Sequence, residues 1–187
     1  MAKSAKNIVL HGASGKLGNQ IVIRQRGGEA ILSQAPGKRE GESTPAQKAQ
    51  QKKFEQAILY GKVQITDPTA KAEYEAKAGG MKSAYNVAVA DFLHAPNIDE
   101  IDLTAYQGAA NNTIRVRVTD DFRVQQVQVS ILNSDGTLVE QGDAVKQANQ
   151  IDWVYTATAA NESTAGDKIV VRASDKPGHI STLEQAM

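Results

Sequence analysis

The residues His11-Gly12-Ala13-Ser14-Gly15-Lys16-Leu17-Gly18-Asn19 follow the apolar run Ile8-Val9-Leu10, and what this stretch leads into decides the fold. Glycines at this spacing after a strand are the layout of a phosphate-cradling loop, provided that a helix follows with its N-terminus facing the phosphate. The next residues are Gln20-Ile21-Val22-Ile23-Arg24-Gln25-Arg26, then Gly27-Gly28, then Glu29-Ala30-Ile31-Leu32-Ser33-Gln34. β-Branched residues at 21, 22 and 23 lose rotamer freedom in a helix and pack well on a pleated sheet. Gly-Gly between two such runs supplies the positive φ that a two-residue hairpin needs at both central positions. A helix from Lys16 would also stop at the double glycine after roughly three turns. The stretch predicts a β-hairpin, with the glycines as the corner that leads into it.

Downstream, Ala35-Pro36-Gly37 ends the hairpin and residues 38–43 form a polar linker. Thr44-Pro45 places a hydroxyl N-cap before a proline at the first helical position. Ala46, Ala49, Phe54, Ala57, Ile58 and Gly61 then recur at helical spacing. Asp67-Pro68 repeats the start signal for a second helix, stopped by Gly79-Gly80. A third helix opens at Lys82 or Ser83 and closes before Pro96, with Tyr85, Val87, Ala88, Val89, Phe92 and Leu93 as its apolar residues.

From Ile98 the period falls to two. Ile114, Val116 and Val118 alternate with Arg115 and Arg117, which predicts a half-buried strand. Further strands are expected over 124–132, 137–140, 151–158 and 168–173, joined by Asn/Asp/Gly/Ser turns. The fold class expected is α+β: an N-terminal β-hairpin and three-helix segment, residues 1–95, followed by an all-β sandwich of immunoglobulin type, residues 96–187. Trp153 is the expected aromatic centre of that sandwich.

The chain has 187 residues, 41% hydrophobic and 22% charged, as in a globular rather than a disordered protein. It has no cysteine, which excludes disulfides, thiolate metal sites and cysteine nucleophiles. No apolar run reaches the roughly 20 residues of a membrane helix, and the run 8–10 is too short for a signal-peptide core. The compartment stays open, and extracellular or virion-associated placement by a non-classical route is compatible with the sequence. Residues 1–95 carry 14 Lys+Arg against 8 Asp+Glu, a charge of +6, and residues 96–187 carry 7 against 13, a charge of −6.

As a dinucleotide site, Gly12, Gly15 and Gly18 would need a helix after Gly18 and an acid ending a second strand about 20 residues on. Residues 38–40, Lys-Arg-Glu, fall in the linker instead. As a metal site, Asp120, Asp135 and Asp175, with Asp121 and Asp143, would gather at one end of the sandwich and offer hard oxygen ligands to Ca²⁺. Aspartate is equally a turn residue, and no EF-hand spacing occurs. His11, His94 and His179 are scattered and read as structural, and no nucleophile with its base is recognisable. Lys48, Lys52 and Lys53 form a basic strip without the aromatic interleaving of a single-strand nucleic-acid surface.

The segment Gly12-Ala13-Ser14-Gly15-Lys16-Leu17-Gly18 resembles the glycine loop of short-chain dehydrogenases over about a dozen positions. That resemblance implies NAD(P) binding, but the Tyr-x-x-x-Lys pair of those enzymes is missing. Gly15-Lys16-Leu17-Gly18, Thr44-Pro45-Ala46-Gln47 and Ala84-Tyr85-Asn86-Val87-Ala88-Val89 resemble a family of uncharacterised bacterial proteins, which implies no activity. The ending Val170-Val171-Arg172-Ala173-Ser174-Asp175-Lys176-Pro177-Gly178 is similar to that of bacterial immunoglobulin-like domains, which implies a fold. The function expected is a non-enzymatic structural subunit that self-associates into a filament, surface or phage-like assembly, with neither cofactor nor nucleic acid as a partner. The alternatives are a monomeric adhesin-like or Ca-dependent binding module, and an NAD(P)-binding protein.

Overall fold

A computed structural model describes residues 2–4, 10, 12–37, 41–80 and 82–187. Ile8, Val9, His11 and the linker residues 38–40, all used in the sequence reading, lie outside the described residues. The chain forms two compact units, Met1–Ala49 and Gln50–Met187.

The first unit is an antiparallel sheet of β1 (Ala2–Ser4), β2 (Gly15–Leu17), β3 (Ile21–Arg26) and β4 (Glu29–Gln34), in the order β1-β4-β3-β2. Arg26 pairs with Glu29 across the expected two-residue turn. Gly27 and Gly28 have φ of 59° and 80°, the two positive values of a type I′ hairpin. No helix follows Gly18: the chain turns through 18–20 and returns as β3, with Lys16 opposite Val22. The glycine corner is tied down by Gln25, whose Nε2 donates to the carbonyl oxygens of Leu10 (2.9 Å) and Ala13 (2.7 Å).

Helix α1 (Pro45–Thr66) opens on a capping box. Thr44 Oγ1 accepts from the Gln47 amide at 3.3 Å, and Gln47 Oε1 accepts from the Thr44 amide at 3.0 Å. Asp67 caps α2 (Pro68–Lys77) by accepting from the Thr69 amide at 2.7 Å, and Ser83 caps α3 (Ala84–Leu93). Of the apolar residues expected to seat α1, Ala57 and Gly61 are buried while Phe54 stays 48% exposed. The reason is steric: a Cβ built on Gly61 would lie 2.7 Å from Val89 Cγ2, so α1 meets α3 at its glycine, with Tyr60 and Ile65 partly buried and Phe54 left outside.

Eight strands complete the second unit: β5 (Asn97–Asp102), β6 (Thr113–Thr119), β7 (Val124–Leu132), β8 (Leu138–Asp143), β9 (Val145–Lys146), β10 (Asp152–Thr156), β11 (Lys168–Asp175) and β12 (Ile180–Ala186). They make two antiparallel sheets, ordered β5-β6-β10-β9 and β12-β11-β7-β8. Between them lies one core containing Ile114, Val116 and Val118 of β6, Val127, Val129 and Ile131 of β7, Ile169, Val171 and Ala173 of β11, and Trp153. This is a β-sandwich-like architecture within an α+β chain. β9 and β12 add to the strands read from the sequence; β12 is an edge strand whose residues are mostly exposed, so its apolar positions do not alternate.

The compact units also divide the chain differently from the expected 1–95 and 96–187. α2 and α3 share a unit with the sandwich because aromatic side chains join them: Tyr74 stacks on Phe122 at 4.2 Å, and Phe92 meets the His179 ring edge-on at 5.3 Å. Among the described residues, no helix is long and apolar enough to cross a membrane.

The α1–α3 contact at Gly61 predicts that Gly61→Leu destabilises the chain by about 1–3 kcal/mol through overpacking. Lys62→Leu, one position along on the exposed face, is expected to change stability by less than about 0.5 kcal/mol. Urea midpoints of the two variants measure the difference.

Candidate functional site

Three buried or partly buried aspartates meet at one end of the sandwich, and each is placed there by the period of its own element. Ile114, Val116 and Val118 face inward on β6, and Asp120 continues that series two residues on. Ile169, Val171 and Ala173 face inward on β11, and Asp175 ends that series. A bulge at Ser174/Asp175, opposite Val124 of β7, adjusts the carboxylate where pairing stops. On α3, Ala84, Val87 and Ala88 form the buried stripe, and Asp91 takes its i+7 position. One carboxylate oxygen of each aspartate lies within 4.8 Å of the others.

Their surroundings are dry and largely aromatic. The Tyr74 hydroxyl donates to Asp91 Oδ2 at 2.6 Å and lies 2.9 Å from the Tyr60 hydroxyl. Asp120 Oδ2 accepts from the Phe122 amide at 3.2 Å. Asp175 Oδ1 accepts from the amides of Gly178 (2.8 Å) and His179 (2.6 Å), and its Oδ2 lies 2.7 Å from His179 Nδ1. Asp91 Oδ1 and Asp120 Oδ1 are buried and have no hydrogen-bond partner among the described residues. The nearby ammonium of Lys176 sits over the Tyr74 ring at 4.6 Å and is paired with Glu73 at 2.5 Å.

Electrostatics follow from this arrangement. Burial pushes the Asp91 carboxyl up to about 6, and the Asp120 and Asp175 charges push the same way against the Tyr74 hydroxyl and Lys176. Burial also raises Asp120. The Tyr74 phenol is raised by burial first and by its bond to Asp91 second, so it stays a proton donor to that carboxylate.

Of the sequence-predicted acids, Asp120 and Asp175 are therefore brought together and Asp135 is not. Asp135 sits in the β7–β8 turn at the far end of β7, roughly 26 Å away at ~3.3 Å per residue. There it accepts from the Thr137 amide at 2.9 Å and from the Thr137 hydroxyl, an ordinary turn role. Asp121 turns outward to His94 Nδ1 at 2.5 Å, and Asp143 accepts from Gln126. Gly15 lies in β2 and Gly12 and Gly18 in turns, so the three glycines do not form a loop before a helix. The sequence reading missed Asp91, although an acid on the apolar stripe of an amphipathic helix is a visible signal. Beside the cluster a groove of about 500 Å³ is lined by Asp120, Phe122, Val124 and Ile151, with Lys77, Arg123 and Lys146 among its cations.

No family model and no curated protein matches the chain. Among solved structures it is similar to CopC from Methylosinus trichosporium OB3b, at 24% identity over 49% of this chain and 88% of that one, with a TM-score of 0.36. An engineered protein is 16% identical over 55% of this chain and 25% of its own length, with a TM-score of 0.34. At these TM-scores neither likeness carries an argument about the site.

Asp91 sets a pH dependence. Its folded pKa is above the unfolded value near 4, so the folded chain binds the proton more tightly and loses stability as pH rises toward 6. Glu73, Asp102, Asp135, Glu140 and Asp152 are all lowered, so their contributions are lost only below about pH 4–5. In chelator-treated buffer, Asp91→Asn is expected to be more stable than the parent at pH 7.5, by on the order of 3 kcal/mol, and to keep only about half of that advantage at pH 5. Urea midpoints at both pH values check this; equal slopes in parent and variant would contradict it.

Proposed function

We propose that this chain is a non-enzymatic structural subunit that self-associates, one copy's N-terminal sheet adding to another copy. One observation carries the proposal: the four-stranded sheet of the first unit has almost no core of its own. Ala30 is the one buried residue among the described positions of its strands, while Ile21, Val22, Ile23, Ile31 and Leu32 remain partly exposed and Leu17 is 66% exposed. A sheet of this size needs a layer against its apolar face. Its edge strands β1 and β2 also offer backbone donors and acceptors to a further strand.

Charge gives the contact a direction. Residues 1–49 carry 8 Lys+Arg against 3 Asp+Glu, or +5, and residues 50–187 carry 13 against 18, or −5. The basic sheet of one copy is thus complementary to the acidic unit of the next. A sandwich of immunoglobulin type is supported by the strand order, which matches the ABED and GFC sheets of that type with β8 added beside β7. The groove beside Asp120 favours a second function, a monomeric binding module that takes an anionic group against an apolar floor.

Sedimentation and multi-angle light scattering across concentration and salt separate the two. Species above the 20.0 kDa chain mass are expected, growing with concentration and shrinking as salt screens the contact. Lys16→Glu combined with Arg24→Glu is expected to weaken association. A 20.0 kDa particle under every condition would refute self-association and leave the binding module.

A further inference from the structure

We propose that Asp91, Asp120 and Asp175 form a binding site for a hard divalent cation of calcium size, at the end of the sandwich where β6 and β11 run out. The site does not depend on how, or whether, the chain associates. Its ligands come from three separate elements, α3, the β6–β7 connection and the last residue of β11, so a bound ion ties the helix to both sheets.

Acidic clusters are common without an ion, and what distinguishes this one is its unused oxygens. Asp91 is 0% exposed, yet among the described residues its Oδ1 has no hydrogen-bond partner, and neither does the buried Oδ1 of Asp120. A buried carboxylate oxygen without a partner forfeits its hydration and gains nothing in return. The other oxygens of these groups are already committed: Tyr74 donates to Asp91 Oδ2, and the Phe122 amide to Asp120 Oδ2. Asp175 is fixed by the Gly178 and His179 amides on Oδ1 and by His179 Nδ1 at Oδ2. Donors that orient carboxylates while leaving lone pairs free are the usual support of a metal site.

Charge and spacing narrow the occupant. The nearest ammonium, Lys176, is paired with Glu73 and makes no hydrogen bond to the three aspartates among the described residues. An all-oxygen carboxylate set suits hard cations rather than zinc or copper. Oxygens up to 4.8 Å apart are bridged by one ion with Ca–O bonds of about 2.3–2.6 Å, whose coordination sphere is about 4.6–5.2 Å across. Magnesium demands near-octahedral geometry and gives up its waters reluctantly, so a fixed set of three carboxylates suits it less well. Three carboxylates leave at least about three positions of calcium to water, which places the affinity at about 10⁻⁵–10⁻³ M.

Calcium titration of the full chain by calorimetry, with terbium luminescence excited through the tyrosines as a second probe, tests the site. One Ca²⁺ per chain is expected, together with a raised melting midpoint. Asp91→Asn and Asp120→Asn should each weaken binding at least tenfold with circular dichroism unchanged, while Asp135→Asn should bind like the parent. Two substitutions keep the test decisive should one of them impair folding. No binding by the folded parent at millimolar Ca²⁺, undiminished binding in both Asp91→Asn and Asp120→Asn, or tighter binding of Mg²⁺ than of Ca²⁺ would overturn the proposal.

Discussion

The strict two-residue period of β6 and β11 is the constraint on which the second unit depends. Successive side chains of a strand point to opposite faces, so each inward position belongs to the core for as long as the strand keeps its register. On these two strands, one in each sheet, the inward series outlasts the apolar residues and ends on a carboxylate, Asp120 or Asp175. A one-residue slip in either strand would turn Val116 or Val171 outward and move the acid with it. Core packing and acid placement are therefore one constraint, and the core enforces it. Each fully buried valine or isoleucine contributes about 1.5–3 kcal/mol, so a slip that exposed three of them would forfeit several kcal/mol.

How an aspartate behaves in this fold depends on which face of the strand it joins. On the outer face, Arg115 Nη2 reaches Asp102 at 2.7 Å, and Arg117 Nε reaches Asp152 at 2.9 Å. Those guanidinium groups hold both carboxylates below the usual range. Such pairs are partly solvated, and solvent screening keeps their contribution small. Turned toward the core, Asp120 after β6 and Asp91 on α3 have no guanidinium partner among the described residues, and burial raises both. The same residue type is thus held down by arginine at Asp102 and Asp152 and pushed up by burial at Asp91 and Asp120. Lys176 lies close enough to lower Asp91, yet Glu73 and the Tyr74 ring hold it, so neutralisation at the cluster is partial.

Much of this was legible in the sequence wherever one local rule decided the outcome. Gly27-Gly28 could only be a tight turn between β-branched runs; Thr44-Pro45 and Asp67-Pro68 mark helix starts; Ile114, Val116 and Val118 alternate with arginines. What was hidden depends on long-range contact. The three helices follow the hairpin in sequence, but stacking of Tyr74 on Phe122 and the edge-on contact of Phe92 with His179 place α2 and α3 with the sandwich. β12 was hidden because an edge strand paired only with β11 needs no apolar alternation. Among the acids, Asp120, Asp135 and Asp175 all read as possible calcium ligands in the turns of the sandwich, and position in a turn does not separate them. Register separates them: Asp91, Asp120 and Asp175 all occupy core-facing positions, whereas Asp135 terminates no inward series.

The two units end in deficits of different kinds. Among the described residues the N-terminal sheet has little apolar cover: Ile21, Ile23, Ile31 and Leu32 are partly exposed and Leu17 is exposed, and β1 and β2 are its outer strands. The sandwich has its layer, sixteen buried residues in one core, and only partial neutralisation from Lys176 where Asp91, Asp120 and Asp175 converge. Hydrophobic burial cannot supply the second deficit, because apolar contact with a carboxylate oxygen only deepens its loss of hydration. An ion cannot supply the first, because a half-exposed leucine gains nothing from charge. Apolar cover and positive charge are therefore separate requirements of the two units. Satisfying either leaves the other open.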